Sequence, residues 1–99
     1  MAKTKSATST HASRMVTIEN KLGLHARAAT KLAKLSQQFN SSIRIVLDGK
    51  TADAGSIMGL MLLTGSQGKT VAVECQGDDA EQALDAVCQL FGDKFDEAE

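Results

Sequence analysis

SSIRIVLDGKTADA, Ser41 to Ala54, puts Ile43, Ile45 and Leu47 at every second position, breaks at Asp48-Gly49, and resumes through Thr51 and Asp53. A period of two places the three apolar side chains on one face of an extended segment. Asp-Gly is a pair that accepts the left-handed dihedrals of a tight hairpin turn. The stretch therefore reads as a β-hairpin, and a hairpin requires antiparallel pairing in the sheet it joins.

Toward the N-terminus, MVTIEN (Met15 to Asn20) alternates Val16 and Ile18 with polar neighbours, a second half-buried strand pattern. Lys21 to Leu24 forms a loop through Gly23. After His25, small or apolar residues recur at Ala29, Leu32, Ala33, Leu35 and Phe39, which is one face of a helix ending near Gln38. Toward the C-terminus, Ser56 is a suitable N-cap for IMGLMLL. KTVAVEC then alternates Val71, Val73 and Cys75, and Ala80, Ala83, Leu84, Val87 and Phe91 mark a last amphipathic helix.

The order βαββαβα, with antiparallel pairing imposed by the hairpin, is too short for a doubly wound sheet. It predicts an α+β open-faced sandwich, a four-stranded antiparallel sheet covered on one face by three helices.

A chain of 99 residues that is 42% apolar, with three Phe and no Trp or Tyr, supports one domain whose core rests on aliphatic side chains. We place that domain at 15–99, after an N-terminal extension 1–14 expected to be disordered: MAKTKSATSTHASR is rich in Ser, Thr and Ala and has no acidic residue. Such a leader also fits a transit peptide, against which its single Arg and lack of an amphipathic apolar pattern count. Met15 is an alternative start. The longest apolar run, Ile57 to Leu63, is too short to cross a bilayer. Cys75 and Cys88 lack metal-knuckle spacing and read as free buried thiols of a reducing cytoplasm, although the spacing leaves a disulfide between them open.

The balance of 11 basic and 12 acidic residues conceals an asymmetry. Lys21, Arg27, Lys31, Lys34, Arg44 and Lys50 fall in the first half of the domain, and nine of the acidic residues fall from Glu74 onward. The first half suits an anionic ligand or a solvated surface of mixed charge.

His25 stands where a helix begins. The first amides of a helix lack intrahelical partners, and the peptide dipoles place partial positive charge there, so anions bind at such ends. A neutral imidazole at that point can accept a phosphoryl group whose oxygens meet the backbone amides of Ala26, Arg27 and Ala28. Arg27 adds a guanidinium whose fork matches phosphate oxygens. The neighbouring sequence offers neither the partners of a hydrolytic triad nor the further ligands of a metal site. His11, in the extension, is assigned no role.

GLHARAA, Gly23 to Ala29, resembles the active-site motif GLHARPA of the HPr-like phosphocarriers of the bacterial phosphotransferase system. The resemblance spans roughly Met15 to Asp96 and includes ADAGSIMGLMLL. NKLGLHAR and the LF…FD ending look most like the nitrogen-related (NPr) branch.

The resemblance implies a carrier rather than an enzyme in its own right, working without cofactor or metal. His25 would form a pros-phosphohistidine and Arg27 would be its charge partner. An enzyme I-type donor would supply the phosphoryl group and an enzyme IIA-type acceptor would take it, with sugar-uptake or nitrogen-regulatory output. Ser56 matches the position that a serine kinase phosphorylates in some bacteria, which makes it a candidate regulatory phosphosite.

Partners would dock on Ala26, Thr30, Lys34, Ile57, Met58 and Met61, with Leu60 and Leu63 in the core. No nucleic-acid partner and no membrane insertion are expected, and the chain is expected to be a monomer. The alternative is a regulatory protein-binding module that docks through the Ile57–Leu63 patch without phosphotransfer. Ala28 departs from the family proline. Alanine restores a backbone N–H beside the phosphate, and phosphorylation is expected to survive the exchange.

Overall fold

In the structure, a computed structural model describing residues 10–97, the chain runs β1 (His11–Thr17), α1 (Ala26–Ser36), β2 (Ser42–Leu47), β3 (Lys50–Asp53), α2 (Ile57–Leu62), β4 (Thr70–Gln76) and α3 (Ala80–Gly92). A tight turn over Lys94–Asp96 follows. The hairpin forms as its sequence dictates, with Leu47 paired to Lys50. Asp48 and Gly49 take φ of 52° and 80°, both left-handed, as a turn matching the strand twist requires.

The strands lie in the order β1-β4-β2-β3, each neighbouring pair antiparallel. The alternating residues of the sequence supply the inner face: Ile43, Ile45, Leu47, Val71, Val73 and Cys75 are all buried. They meet Ala29 and Leu32 of α1, Leu60 of α2, and Ala83, Val87 and Phe91 of α3 in one apolar cluster. Each fully buried aliphatic or Phe side chain contributes roughly 1.5–3 kcal/mol of transfer free energy, so this cluster holds the helices to the sheet. On the opposite face Met15 is exposed, and Arg44 pairs across strands with Glu74 at 2.9 Å. The architecture is the open-faced sandwich expected from the sequence. No helix among the described residues is long and apolar enough to cross a membrane.

One boundary differs. β1 begins at His11 rather than Met15, so residues 11–14 belong to the sheet and not to the extension. Backbone pairing does not need apolar alternation: His11, Ala12, Ser13 and Arg14 lie opposite Gln76, Cys75, Glu74 and Val73 of β4. Arg14 also reaches Asp85 of α3 at 3.1 Å. Residues 1–9 of the expected extension lie outside the described residues.

The thiols of Cys75 and Cys88 are free, the first buried and the second half-buried. Burial, reinforced by Cys88 and Asp79, pushes the Cys75 thiol up to about 11. Asp79, the residue before α3, does not cap its own helix. Its carboxylate instead accepts from the Ser41 hydroxyl at 2.6 Å and the Asn40 amide at 2.9 Å, fastening the start of β2 to the start of α3.

Candidate functional site

The path to His25 is set by a backbone close approach. Gly23 has φ of 65°, and a Cβ there would lie 2.2 Å from the carbonyl oxygen of Gly65, so no side chain fits. The next amide, Leu24, donates to that same oxygen at 2.8 Å. The turn delivers His25 to the N-cap of α1 in an extended conformation, where its carbonyl accepts from Ala29 at 2.8 Å.

Both ring nitrogens are engaged. Nδ1 accepts from the backbone N–H of Arg27 at 3.3 Å, and Nε2 lies 2.5 Å from Oε2 of Glu97. An Nδ1 that accepts carries no proton, so the proton resides on Nε2 and is donated to the carboxylate. The lone pair of Nδ1 thus points at the helix amides, where an anion would be held.

Glu97 is fixed in turn by the amide of buried Asn20. Asn20 Nδ2 donates to Oε1 at 3.2 Å and to the Gly23 carbonyl at 2.8 Å. Burial opposes the charge of Glu97, but the hydrogen bonds from His25 and Asn20 and the positive charge of Arg27 outweigh it, leaving the carboxyl below the usual glutamate range. Oδ1 of Asn20 is buried without a hydrogen-bond partner among the described residues.

An unusual turn brings Glu97 back to the site. Lys94, Phe95 and Asp96 have φ of 56°, 56° and 62°. Left-handed dihedrals cost L-residues roughly 1–2 kcal/mol each. Burial of Phe95, edge-on to Phe91 at 4.9 Å, offsets about 1.5–3 kcal/mol of this. Lys31 Nζ adds a hydrogen bond to the Phe95 carbonyl at 3.0 Å and approaches Asp96 at 3.7 Å.

Leu22, His25, Ala26, Arg27, Lys31, Asp96 and Glu97 line a cleft of about 630 Å³. The basic residues expected from the first half of the domain are therefore met there by acidic residues from the last quarter. Arg27 is exposed, and Ala28 is fully buried in the first turn of α1.

On the other side of His25, Leu22, Leu24, Met61, Thr64, Gly65 and Ser66 border a shallower depression of about 350 Å³ that leads to α2. Here Ser56 Oγ caps the helix, accepting from Gly59 N–H at 3.0 Å. Met58, Leu62 and Leu22 are 70%, 69% and 66% exposed, Ile57 and Met61 less so, and Leu60 and Leu63 are buried. On α1, Ala26 and Lys34 are exposed, while Thr30 donates its hydroxyl to the Ala26 carbonyl at 2.7 Å.

The structure thus groups His25 with Arg27 and sets the α2 patch beside them. Sequence reasoning missed Glu97, Asn20 and Leu22 as site residues, and it placed Lys31 only among the basic residues of the first half. Of the three missed, Leu22, an apolar residue in a predicted loop, was the one with a local signal.

The family model described as the PTS HPr component phosphorylation site matches residues 12–93. The phosphocarrier protein NPr of Shewanella violacea is 55% identical over 85 residues, covering 86% of this chain and 93% of that protein. The phosphocarrier protein HPr of Cupriavidus necator is 45% identical over 86 residues, covering 87% and 97%. The crystal structure of HPr from Thermoanaerobacter tengcongensis superposes with a TM-score of 0.85 at 40% identity, covering 89% of this chain and 99% of that one.

Proposed function

The chain belongs to the HPr family of phosphotransferase-system phosphocarriers, and from that premise we propose that it accepts a phosphoryl group on Nδ1 of His25 and passes it on. The observation that supports this reading is the split in the ring's hydrogen bonding: Nε2 is committed to Glu97, and Nδ1 offers its lone pair to the helix amides. As phosphorus bonds to Nδ1 and its bond to the donor breaks, the phosphoryl oxygens replace Nδ1 as acceptors of the Arg27 amide. The neighbouring amides of Ala26 and Ala28 lie in the same first turn, and the Arg27 guanidinium supplies charge. Ala28 keeps an N–H there that a proline would lack.

A helix-end charge interaction is worth about 0.3–1 kcal/mol, which holds a phosphoryl group without trapping it. An enzyme I-type protein is the donor in this reading and an enzyme IIA-type protein the acceptor, each docking on Leu22, Ala26, Thr30, Lys34 and the exposed side of α2. The chain works as a cytoplasmic monomer, with partners supplying the catalysis. A phosphate on Ser56 would put charge among Ile57 and Met58 and weaken docking, so a serine kinase would act as a brake.

Incubation with phosphoenolpyruvate and a cognate enzyme I is expected to add one phosphate, lost in His25→Ala. A chain that stays unmodified while still binding enzyme I through Ile57–Leu63 would instead be a regulatory docking module.

A further inference from the structure

We infer that Glu97 is a positioning residue for this transfer: its carboxylate keeps the His25 proton on Nε2, leaves Nδ1 as the reacting nitrogen, and balances the ring's charge once Nδ1 carries phosphate. The inference rests on the phosphocarrier reading and adds a residue far from the GLHAR motif. Glu97 lies 72 residues from His25 in sequence, yet its two oxygens are taken up by His25 Nε2 at 2.5 Å and Asn20 Nδ2 at 3.2 Å. Nδ1 and Nε2 sit on opposite edges of the imidazole, so the carboxylate and a phosphoryl group can be held together. The left-handed turn at Lys94–Asp96 and the buried Phe95 anchor aim the carboxylate at the ring.

The chemistry gives the contact a purpose. When Nδ1 uses its lone pair to bond phosphorus, the electron pair of the breaking bond leaves with the donor. The ring, still protonated on Nε2, is then formally cationic. Onward transfer reverses this: the acceptor's nucleophile attacks phosphorus, the N–P electron pair returns to Nδ1, and a neutral imidazole departs with its proton still on Nε2. No proton moves in either direction. If Nε2 lost its proton first, the leaving group would be an imidazolate, a far poorer one.

Other charged groups facing the pair are Arg27 and Lys31 from α1 and Asp96 from the turn. Lys31 is held by the Phe95 carbonyl and Asp96. Glu97 is the carboxylate that reaches Nε2.

The test loads the full chain with phosphoramidate, a small donor that needs no partner enzyme, and follows hydrolysis of the phosphohistidine by phosphorus NMR as a function of pH. Ring protonation promotes hydrolysis. The midpoint of the pH–rate profile is expected to fall by roughly one pH unit in both Glu97→Ala and Glu97→Gln, the scale of a lost charge-assisted hydrogen bond. Nitrogen NMR of the unphosphorylated ring separates the two variants: Gln still accepts from Nε2–H and keeps the wild-type tautomer, whereas Ala raises the share protonated on Nδ1. Coincident pH profiles in all three proteins would overturn the role of Glu97. Phosphoramidate labelling with the expected shift, but no labelling by phosphoenolpyruvate and enzyme I, would overturn the carrier reading and leave Glu97's role standing. Failure of phosphoramidate to label Nδ1 would overturn both.

Discussion

Two helices of this fold begin with a side chain that caps them, and the two beginnings are built for different work. At α1 the cap is His25 Nδ1, and around it lie Arg27, Lys31 and Glu97, a polar cleft with fixed charges of both signs. At α2 the cap is Ser56 Oγ, and the residues after it are Ile57 and Met58, apolar and open to solvent. Both starts satisfy a first-turn amide, so capping alone does not distinguish them. The surroundings do: in the proposed relay, α1 would hold and release the phosphoryl group and α2 would be covered by the partner. Flexible Met side chains suit a surface that must fit more than one partner.

Exchanging the caps is the strongest way to break this contrast. His25→Ala should lose phosphorylation completely, and adding Ser56→His to it should restore less than roughly 1% of the wild-type rate, because the second start lacks the pre-organised charge partners. Recovery of a substantial rate, measured by phosphate incorporation from enzyme I, would show that any histidine cap suffices.

Next in size, Met58→Ala combined with Leu62→Ala should raise the KM for the phosphorylated donor roughly tenfold, the scale of losing one or two apolar anchors. Labelling of His25 by phosphoramidate should not change. A variant that loses both readouts equally would mean that the two regions are not separable.

Ser56→Ala removes the α2 cap and should cost about 1 kcal/mol of stability, against a few tenths for Ser56→Gly. Denaturant unfolding measures both, and a Ser56→Ala variant as stable as the parent would mean that the hydroxyl's bond to Gly59 is not what holds that turn.

A third helix start sharpens the comparison further, because Asp79 spends its carboxylate on Ser41 and Asn40 rather than on α3. The Ser41 hydroxyl and then the Asn40 amide hold that carboxyl below the usual aspartate range. The folded chain therefore binds fewer protons than the unfolded one between the two pKa values. This stability is fully present above the unfolded value of about 4 and is lost as pH falls through the lower folded value. Asp79→Asn should flatten the acid limb of the stability curve, and superimposable limbs below about pH 4 would count against the contact.

Much of this was legible because it is local. Alternation at Ile43, Ile45, Leu47, Val71 and Val73, the Asp-Gly turn, and the Ser56 and His25 caps each carry their meaning within a few residues. The early start of β1 was not legible, because Ser13 and Arg14 are polar and gain their place only from the register with β4. Glu97 and Asn20 were hidden for a similar reason. Nothing near Glu97 in sequence marks it as a partner of His25, and the three left-handed residues that turn it inward are not glycines. The charge asymmetry was visible, but not that Asp96 and Glu97 fold back among the basic residues.

The contact between Gly23 and Gly65 bears on how fast a docked donor would react in the proposed relay. Gly23 precedes His25 by two residues, and Gly65 follows the docking helix by three; the Leu24 amide on the Gly65 carbonyl ties them, with Ile18 bonded to Lys69 and Gly68 alongside. His25 and the exposed side of α2 therefore share one frame. In the proposed relay, a partner seated on Met58 and Leu62 would already have fixed most of the angle at which its phosphorus meets Nδ1, so the orientational entropy of transfer would be spent in binding and little would remain for the chemical step.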